Sequence, residues 1–246
     1  LSPKTDVRTN AQFLYDEASI RYILKALDSM NASNILCLGA PSLHEAIQEQ
    51  KRRFTLRKQH RHFGEDPRRK RKRNSLLLDM DPRLPQFYRN HSCFHFNMVN
   101  GYFLSSATQL SVDEREFKEE NTKEEKKKKG AKNNRPNEDA SAAINFIRNC
   151  DAIVCDPPYG TLLDPLAQTI TALMRTGRGY HPCGGKSKED RRCREVAVFV
   201  SLPYFLEEKL AESMPWLQMS DFEIGYANHR KFRNPDKGKN RRRGSA

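Results

Sequence analysis

Residues 149–160 read NCDAIVCDPPYG: an apolar run closed by one carboxylate, two prolines, an aromatic ring and a glycine. The run Ala-Ile-Val-Cys-Asp has the length and composition of a buried β-strand. Prolines after a strand forbid its continuation and stiffen its exit, so Asp156 and the carbonyls beside it are held in one geometry. Gly160 lets a ligand or another backbone come close. Asp, Pro and Gly also make ordinary turns. What favours a site over a turn is the position, after a strong buried strand and before a capped helix.

Similar runs stand on either side. NILCLG (34–39), SLLLDMD (75–81), CFHFN (93–97), AIVCD (152–156) and VAVFVS (196–201) read as buried strands, and FEIGYA (222–227) as one more. Helical patterns lie between them. Ile20, Ile23, Leu24 and Leu27 mark one face before the first strand. After the fourth, Asp164 and Pro165 give an N-cap and a first-turn proline, Leu166, Ile170, Leu173 and Met174 form a buried stripe, and Gly177 closes the helix. Strands alternating with helices predict an α/β fold: a mainly parallel, Rossmann-like sheet with helices on both faces.

The 246 residues suit a single domain spanning 1–246. Its longest apolar stretch, VAVFVSLPYFL from Val196, falls short of the roughly 18 residues of a membrane span and contains a proline, so no membrane partner is expected. The first residues, LSPKTDVRTN, lack an initiator Met and an apolar signal core, and read as the start of a piece of a longer protein.

The formal charge of +13 is concentrated in two segments. Residues 51–73 carry twelve Lys/Arg against Glu65 and Asp66, and residues 229–243 carry eight against Asp236, leaving the rest net acidic. Such runs suit a phosphate backbone, because each cation that neutralises a phosphate releases a counterion. A solvated insert or an import signal accounts equally well for 51–73. Residues 51–73 and 113–141, the latter almost free of large apolar side chains, are expected to be disordered insertions, and 229–246 a basic tail. The six cysteines form no C-x-x-C pair, and four lie in or beside apolar runs, which predicts free buried thiols in a reducing compartment. His181, Cys183 and Cys193 lack a fourth ligand, so no metal is expected in this chain.

In an open α/β sheet, ligands bind outside the carboxyl ends of the strands. Asp156, Pro157, Pro158 and Tyr159 stand at such an end, and together suit chemistry on an exocyclic amine. The lone pair of a purine amine is delocalised into the ring. A carboxylate oxygen and a backbone carbonyl that each accept one amine hydrogen draw the nitrogen toward tetrahedral geometry and free that pair. Tyr159 would stack on the base, worth about 1–3 kcal/mol, and the base must be unpaired or flipped out.

D-P-P-Y after the fourth strand resembles the motif of S-adenosylmethionine-dependent amino-methyltransferases. Six ordered blocks, NAQFLYDEASIRYIL, NILCLGAPSLHEAI, SLLLDMDPRLPQFY, FHFNMVNGYF, VCDPPYGTLLDPLA and MPWLQMSDFEIGYANHRKF, are together similar to the CCHC zinc-finger rRNA N6-adenosine methyltransferases. The resemblance implies S-adenosylmethionine as cofactor and large-subunit rRNA as partner. It implies that Asp156 to Tyr159 are the catalytic motif, whose last position is commonly Phe, and that Asp156 also adjoins the cofactor. Gly39 matches the turn that approaches the cofactor. Asp81, expected to end the second strand, matches the ribose-binding carboxylate, with Asp79 its substitute. Asn97 would lie by the adenine, and Gln12, Phe13 and Leu14 match a segment folding over the cofactor. Arg230, Lys231, Arg233, Arg241, Arg242 and Arg243 would contact RNA at the rim. The family's zinc-binding modules are not in these residues, and the family continues into a further strand pairing with 222–227. Nuclear or nucleolar localisation, with the cytoplasm as an alternative, follows from an rRNA substrate.

Other readings share the motif: guanosine N2 methylation of tRNA, methylation of protein side chains, and a non-catalytic RNA-binding scaffold. A cationic rim disfavours a lysine substrate, and an intact Asp156–Tyr159 motif weighs against a scaffold.

Overall fold

In the computed structural model the described residues are 13–59, 72–88, 92–104, 108–109, 136–177 and 196–228. Their strands are β1 (Asn34–Leu38), β2 (Asn74–Asp79), β3 (Cys93–Asn97), β4 (Tyr102–Phe103), β5 (Thr108–Gln109), β6 (Ala152–Cys155) and β7 (Ala197–Val200). The helices are α1 (Glu17–Ser29), α2 (Pro41–Gln59), α3 (Leu84–Phe87), α4 (Pro136–Ile147), α5 (Leu163–Thr176) and α6 (Glu207–Ser213). One sheet has the order β5-β4-β3-β2-β1-β6-β7. The five strands from β3 to β7 along that order are parallel, and β4 and β5 extend the edge as antiparallel pairs.

Side chains alternate across β1, and both faces are covered. Leu36 and Leu38 face Leu166, Ile170 and Leu173 of α5 and Ile147 of α4; Ile35 and Cys37 face Leu24 and Leu27 of α1 and Leu43 and Ile47 of α2. A strand covered on both sides has no polar face to show, which is why these runs read as continuously apolar. Cys37, Cys93, Cys150 and Cys155 are free and buried. Burial pushes the thiols of Cys93 and Cys150 up to about 12, so they pack as small hydrophobes.

The sheet order reverses at β1, with β2 and β3 on one side and β6 and β7 on the other. The carboxyl tips of β1 and β6 therefore border the crevice in which doubly wound sheets bind ligands.

Four sequence expectations need correction. Residues 222–227 form no strand of this sheet: the segment makes an isolated antiparallel bridge, Tyr226 to Tyr15. Its polar groups go to the start of α1 instead. Gly225 accepts from the Asp16 N–H at 2.9 Å and donates to Ser19 Oγ at 2.8 Å, while Phe222 stacks on Tyr22 with centroids 3.8 Å apart. Residues 51–59 are not a disordered insertion but the continuation of α2, where Glu49 accepts from Arg52 and Arg53 one turn on. Likewise 136–141 open α4. At the other end of 51–73, Arg73 is buried and bonds the Leu24 carbonyl and Asp28. Finally, Leu162 is the N-cap of α5, which puts Asp164 inside the first turn, where its carboxylate accepts from Ser213 Oγ at 2.6 Å. Residues 60–71, 113–135 and His181, Cys183 and Cys193 lie outside the described residues.

Candidate active site

The tips of β1 and β6 are locked together. The Asp156 N–H donates to the Leu38 carbonyl at 2.9 Å, and the Gly39 N–H donates to the Leu78 carbonyl at 2.8 Å, so each ladder runs one residue past its strand. Gly39 has φ +67°, and a Cβ there would stand 2.7 Å from the Asp156 carbonyl oxygen and 2.6 Å from Met98 Cε. The turn after β1 thus passes under Asp156 at a distance that only glycine allows. Beyond Asp156, Pro157 is buried, while Pro158 and Tyr159 are exposed. The Pro158 carbonyl accepts both the Thr161 N–H at 3.1 Å and the Thr161 hydroxyl at 2.6 Å.

An aromatic cluster borders the carboxylate. Phe13 lies edge-on to Tyr159 at 5.2 Å and to Tyr226 at 5.9 Å, and Tyr15 stacks on Tyr226 at 5.7 Å. The Tyr226 hydroxyl donates to Asp156 Oδ1 at 2.8 Å and also interacts with the Tyr159 hydroxyl. Two chain segments distant in sequence bring these rings together. Leu14 accepts from the Ala227 N–H at 2.8 Å and donates to Asn228 Oδ1 at 2.9 Å, and the Tyr15 hydroxyl meets Ser201 Oγ at 2.6 Å just past β7. Burial pushes the Asp156 carboxyl well above the usual range; the Tyr226 hydrogen bond draws it back, and the charge of Asp79 pushes it up again.

Asp79, not Asp81, ends β2. Asp79 is buried, and that burial raises its carboxyl to about 6; its Oδ1 accepts the Asp81 N–H at 2.9 Å. Asp81 lies in the turn beyond, where its Oδ1 takes the Arg83 N–H at 3.0 Å and Arg83 Nε at 2.9 Å. Asp81 is thus taken up by the Arg83 guanidinium, whereas Asp79 carries a buried carboxylate at the tip of β2, one strand beyond β1 from Asp156. Asn97 ends β3 as expected and caps the next turn, its Oδ1 accepting the Val99 N–H at 2.9 Å. Phe13 and Leu14 belong to the segment running past the site. Gln12, Arg230, Lys231, Arg233, Arg241, Arg242 and Arg243 lie outside the described residues.

Sequence reasoning missed Tyr226, Tyr15 and Ser201. Tyr226 stands in an alternating Phe222, Ile224, Tyr226 pattern, which reads only as a strand face. Nothing local ties it to a carboxylate 70 residues earlier.

Asp156 to Tyr159 thus form a turn at the switch point of a doubly wound sheet. The profile of the family described as "Probable N6-adenine methyltransferase" matches residues 6–231, and the chain belongs to that family. Among curated proteins it is similar to the rRNA N(6)-adenosine-methyltransferase ZCCHC4 of Homo sapiens, at 29% identity over 239 residues, covering 97% of this chain and 38% of the relative. The protein of that name from Mus musculus is 30% identical, also covering 97% and 38%, and that from Xenopus laevis 26%, covering 97% and 39%. The chain therefore spans well under half the length of these relatives.

Proposed function

We propose that the chain is the catalytic domain of an S-adenosylmethionine-dependent methyltransferase that modifies N6 of an adenosine in large-subunit rRNA. The observation that carries this reading is Asp156: a half-buried carboxylate at the switch-point tip, with one oxygen oriented by a phenol and an exposed aromatic ring three residues on.

The residues present fit the cofactor. The turn at Gly39 is a cradle that a side chain would fill, and Asp79 offers a buried carboxylate for ribose hydroxyls, with Asp81 the alternative. Phe13 and Leu14, with Gln12 before them, would cover the cofactor, and Asn97 would border its adenine. When bound, S-adenosylmethionine supplies an electrophilic methyl group.

The chain's own residues prepare the acceptor. An Asp156 oxygen accepts one hydrogen of the adenine amine. The Pro157 carbonyl is the natural second acceptor, since Thr161 takes the Pro158 carbonyl with two donors. Held between two acceptors, the nitrogen is drawn out of conjugation and its lone pair is aimed by the same contacts. Tyr159, with Phe13 against its edge, stacks on the flipped base. The basic segment holding Arg230, Lys231, Arg233 and Arg241 to Arg243 serves as the phosphate-contacting rim. An rRNA substrate puts the protein in the nucleus or nucleolus, and residues 1–246 act as one domain.

The test is transfer of labelled methyl from S-adenosylmethionine to unmodified rRNA, tRNA and protein in parallel, with wild type and Asp156→Ala. Label recovered as N6-methyladenosine from rRNA, and lost in the variant, is the expected result. Label in N2-methylguanosine or methyl-lysine would overturn the substrate assignment.

A further inference from the structure

We infer that Tyr226 is a positioning residue for Asp156: its hydroxyl holds Oδ1, fixes the rotation of the carboxylate, and leaves Oδ2 to receive the amine hydrogen. The inference rests on the methyltransferase reading above and adds to it a residue that the D-P-P-Y motif does not contain.

Three features make Tyr226 a support rather than a chance neighbour. Its hydroxyl donates to Oδ1 at 2.8 Å, a normal length for an O–H···O hydrogen bond. Its ring is 7% exposed and stacked on Tyr15, whose own hydroxyl is tied to Ser201 Oγ. Its backbone is pinned on both sides: the Gly225 carbonyl takes the Asp16 N–H, and the Ala227 N–H donates to the Leu14 carbonyl. The phenol therefore reaches Asp156 on a rigid mount, and a site group is only as well placed as what supports it. A carboxylate offers about four lone-pair positions, so one phenol leaves ample capacity for an amine N–H.

The bond also governs charge. The groups facing Asp156 are Asp79 from the β2 tip, Tyr15 from the segment before α1, Tyr226 from the 222–228 segment, and Cys155 and Tyr159 from its own strand and turn. Among the described residues facing it, only Asp79 is charged near neutral pH, and it disfavours ionisation. Burial acts in the same direction, and the phenol is the group among the described residues that favours the carboxylate. Without it, Asp156 takes up a proton at higher pH, and the oxygen needed as acceptor is neutralised.

Tyr226→Phe removes the hydroxyl and keeps the ring. In the full chain labelled with carboxyl-13C aspartate, with Asp156 assigned through Asp156→Asn, the Asp156 titration midpoint should rise by on the order of one pH unit in Tyr226→Phe. In methyl transfer, kcat should fall about 10- to 100-fold. The acidic limb of the pH profile should move up with the midpoint, and S-adenosylmethionine affinity should stay within about twofold. An unmoved midpoint overturns the inference, whatever the turnover. A raised midpoint with wild-type kcat and an unchanged limb overturns the positioning role. Full turnover by Asp156→Asn would count against the catalytic role of Asp156, and no methyl transfer by wild type against the methyltransferase reading, while the carboxyl titration still decides whether Tyr226 holds Asp156.

Discussion

The Asp156 carbonyl oxygen stands where a side chain on Gly39 would begin, 2.7 Å from a Cβ built on that glycine. The contact joins the turn after β1 to the turn after β6, the two tips that flank the switch in strand order. Gly39→Ala must both hold a left-handed φ of +67° and displace a backbone carbonyl. The expected cost is about 1–3 kcal/mol in urea unfolding, together with loss of S-adenosylmethionine binding by calorimetry. Wild-type affinity in that variant would exclude the turn from the cofactor site.

Asp79 opposes stability in the absence of ligand. Its folded carboxyl is raised to about 6, above the value near 4 expected unfolded, so the folded state binds the proton more tightly. The stabilisation is full below about pH 4 and lost as pH rises through about 6. Asp79→Asn, neutral throughout, should gain about 1–3 kcal/mol over wild type at pH 7–8 and bind S-adenosylmethionine at least tenfold more weakly. Chemical unfolding at pH 4, 6 and 8 with calorimetry checks both. Undiminished affinity would shift the ribose contact to Asp81.

Tyr159 is 43% exposed while its hydroxyl is turned toward Tyr226, so its ring is available on one side. Tyr159→Phe should keep RNA affinity near wild type. Tyr159→Ala should weaken it by about 1–3 kcal/mol, on the order of 5- to 150-fold, with S-adenosylmethionine affinity unchanged. Fluorescence anisotropy with a single-stranded adenosine-containing oligonucleotide measures this; equal binding by all three proteins would remove the stacking role.

His44, on the first turn of α2, is fully buried edge-on to Tyr88 at 4.7 Å, and neither ring nitrogen has a hydrogen-bond partner among the described residues. Burial lowers its pKa to about 4. An unfolded histidine near 6.5 takes up a proton first, so the stability His44 contributes is full above pH 6.5 and is lost as pH falls toward 4. His44→Leu should remove that slope and gain about 1 kcal/mol at pH 7. The readout is the difference in unfolding free energy between variant and wild type from pH 7 to 4, and a constant difference would show that His44 does not titrate in this window.

The five parallel strands and the D-P-P-Y turn were legible because each is written locally, and Gly39 through its place in a block that resembles the family. A strand buried on both faces must be apolar throughout, a proline pair must end it, and a left-handed turn favours glycine. Basic composition misled at 51–59, where a helix needs only one apolar stripe at its start and can run on through charged residues that pair at i, i+4. The choice between Asp79 and Asp81 was not in the sequence either, because it depends on where the β2 ladder stops and on Arg83 closing over Asp81. Nor was the Tyr226–Asp156 hydrogen bond. It exists because the segment before α1 and the segment at 224–228 pair across the sheet tips, and alternation in FEIGYA is equally consistent with a strand and with that single bridge. Periodicity and turn chemistry record what each segment must bury; which distant side chain meets a carboxylate is settled only when the segments pack.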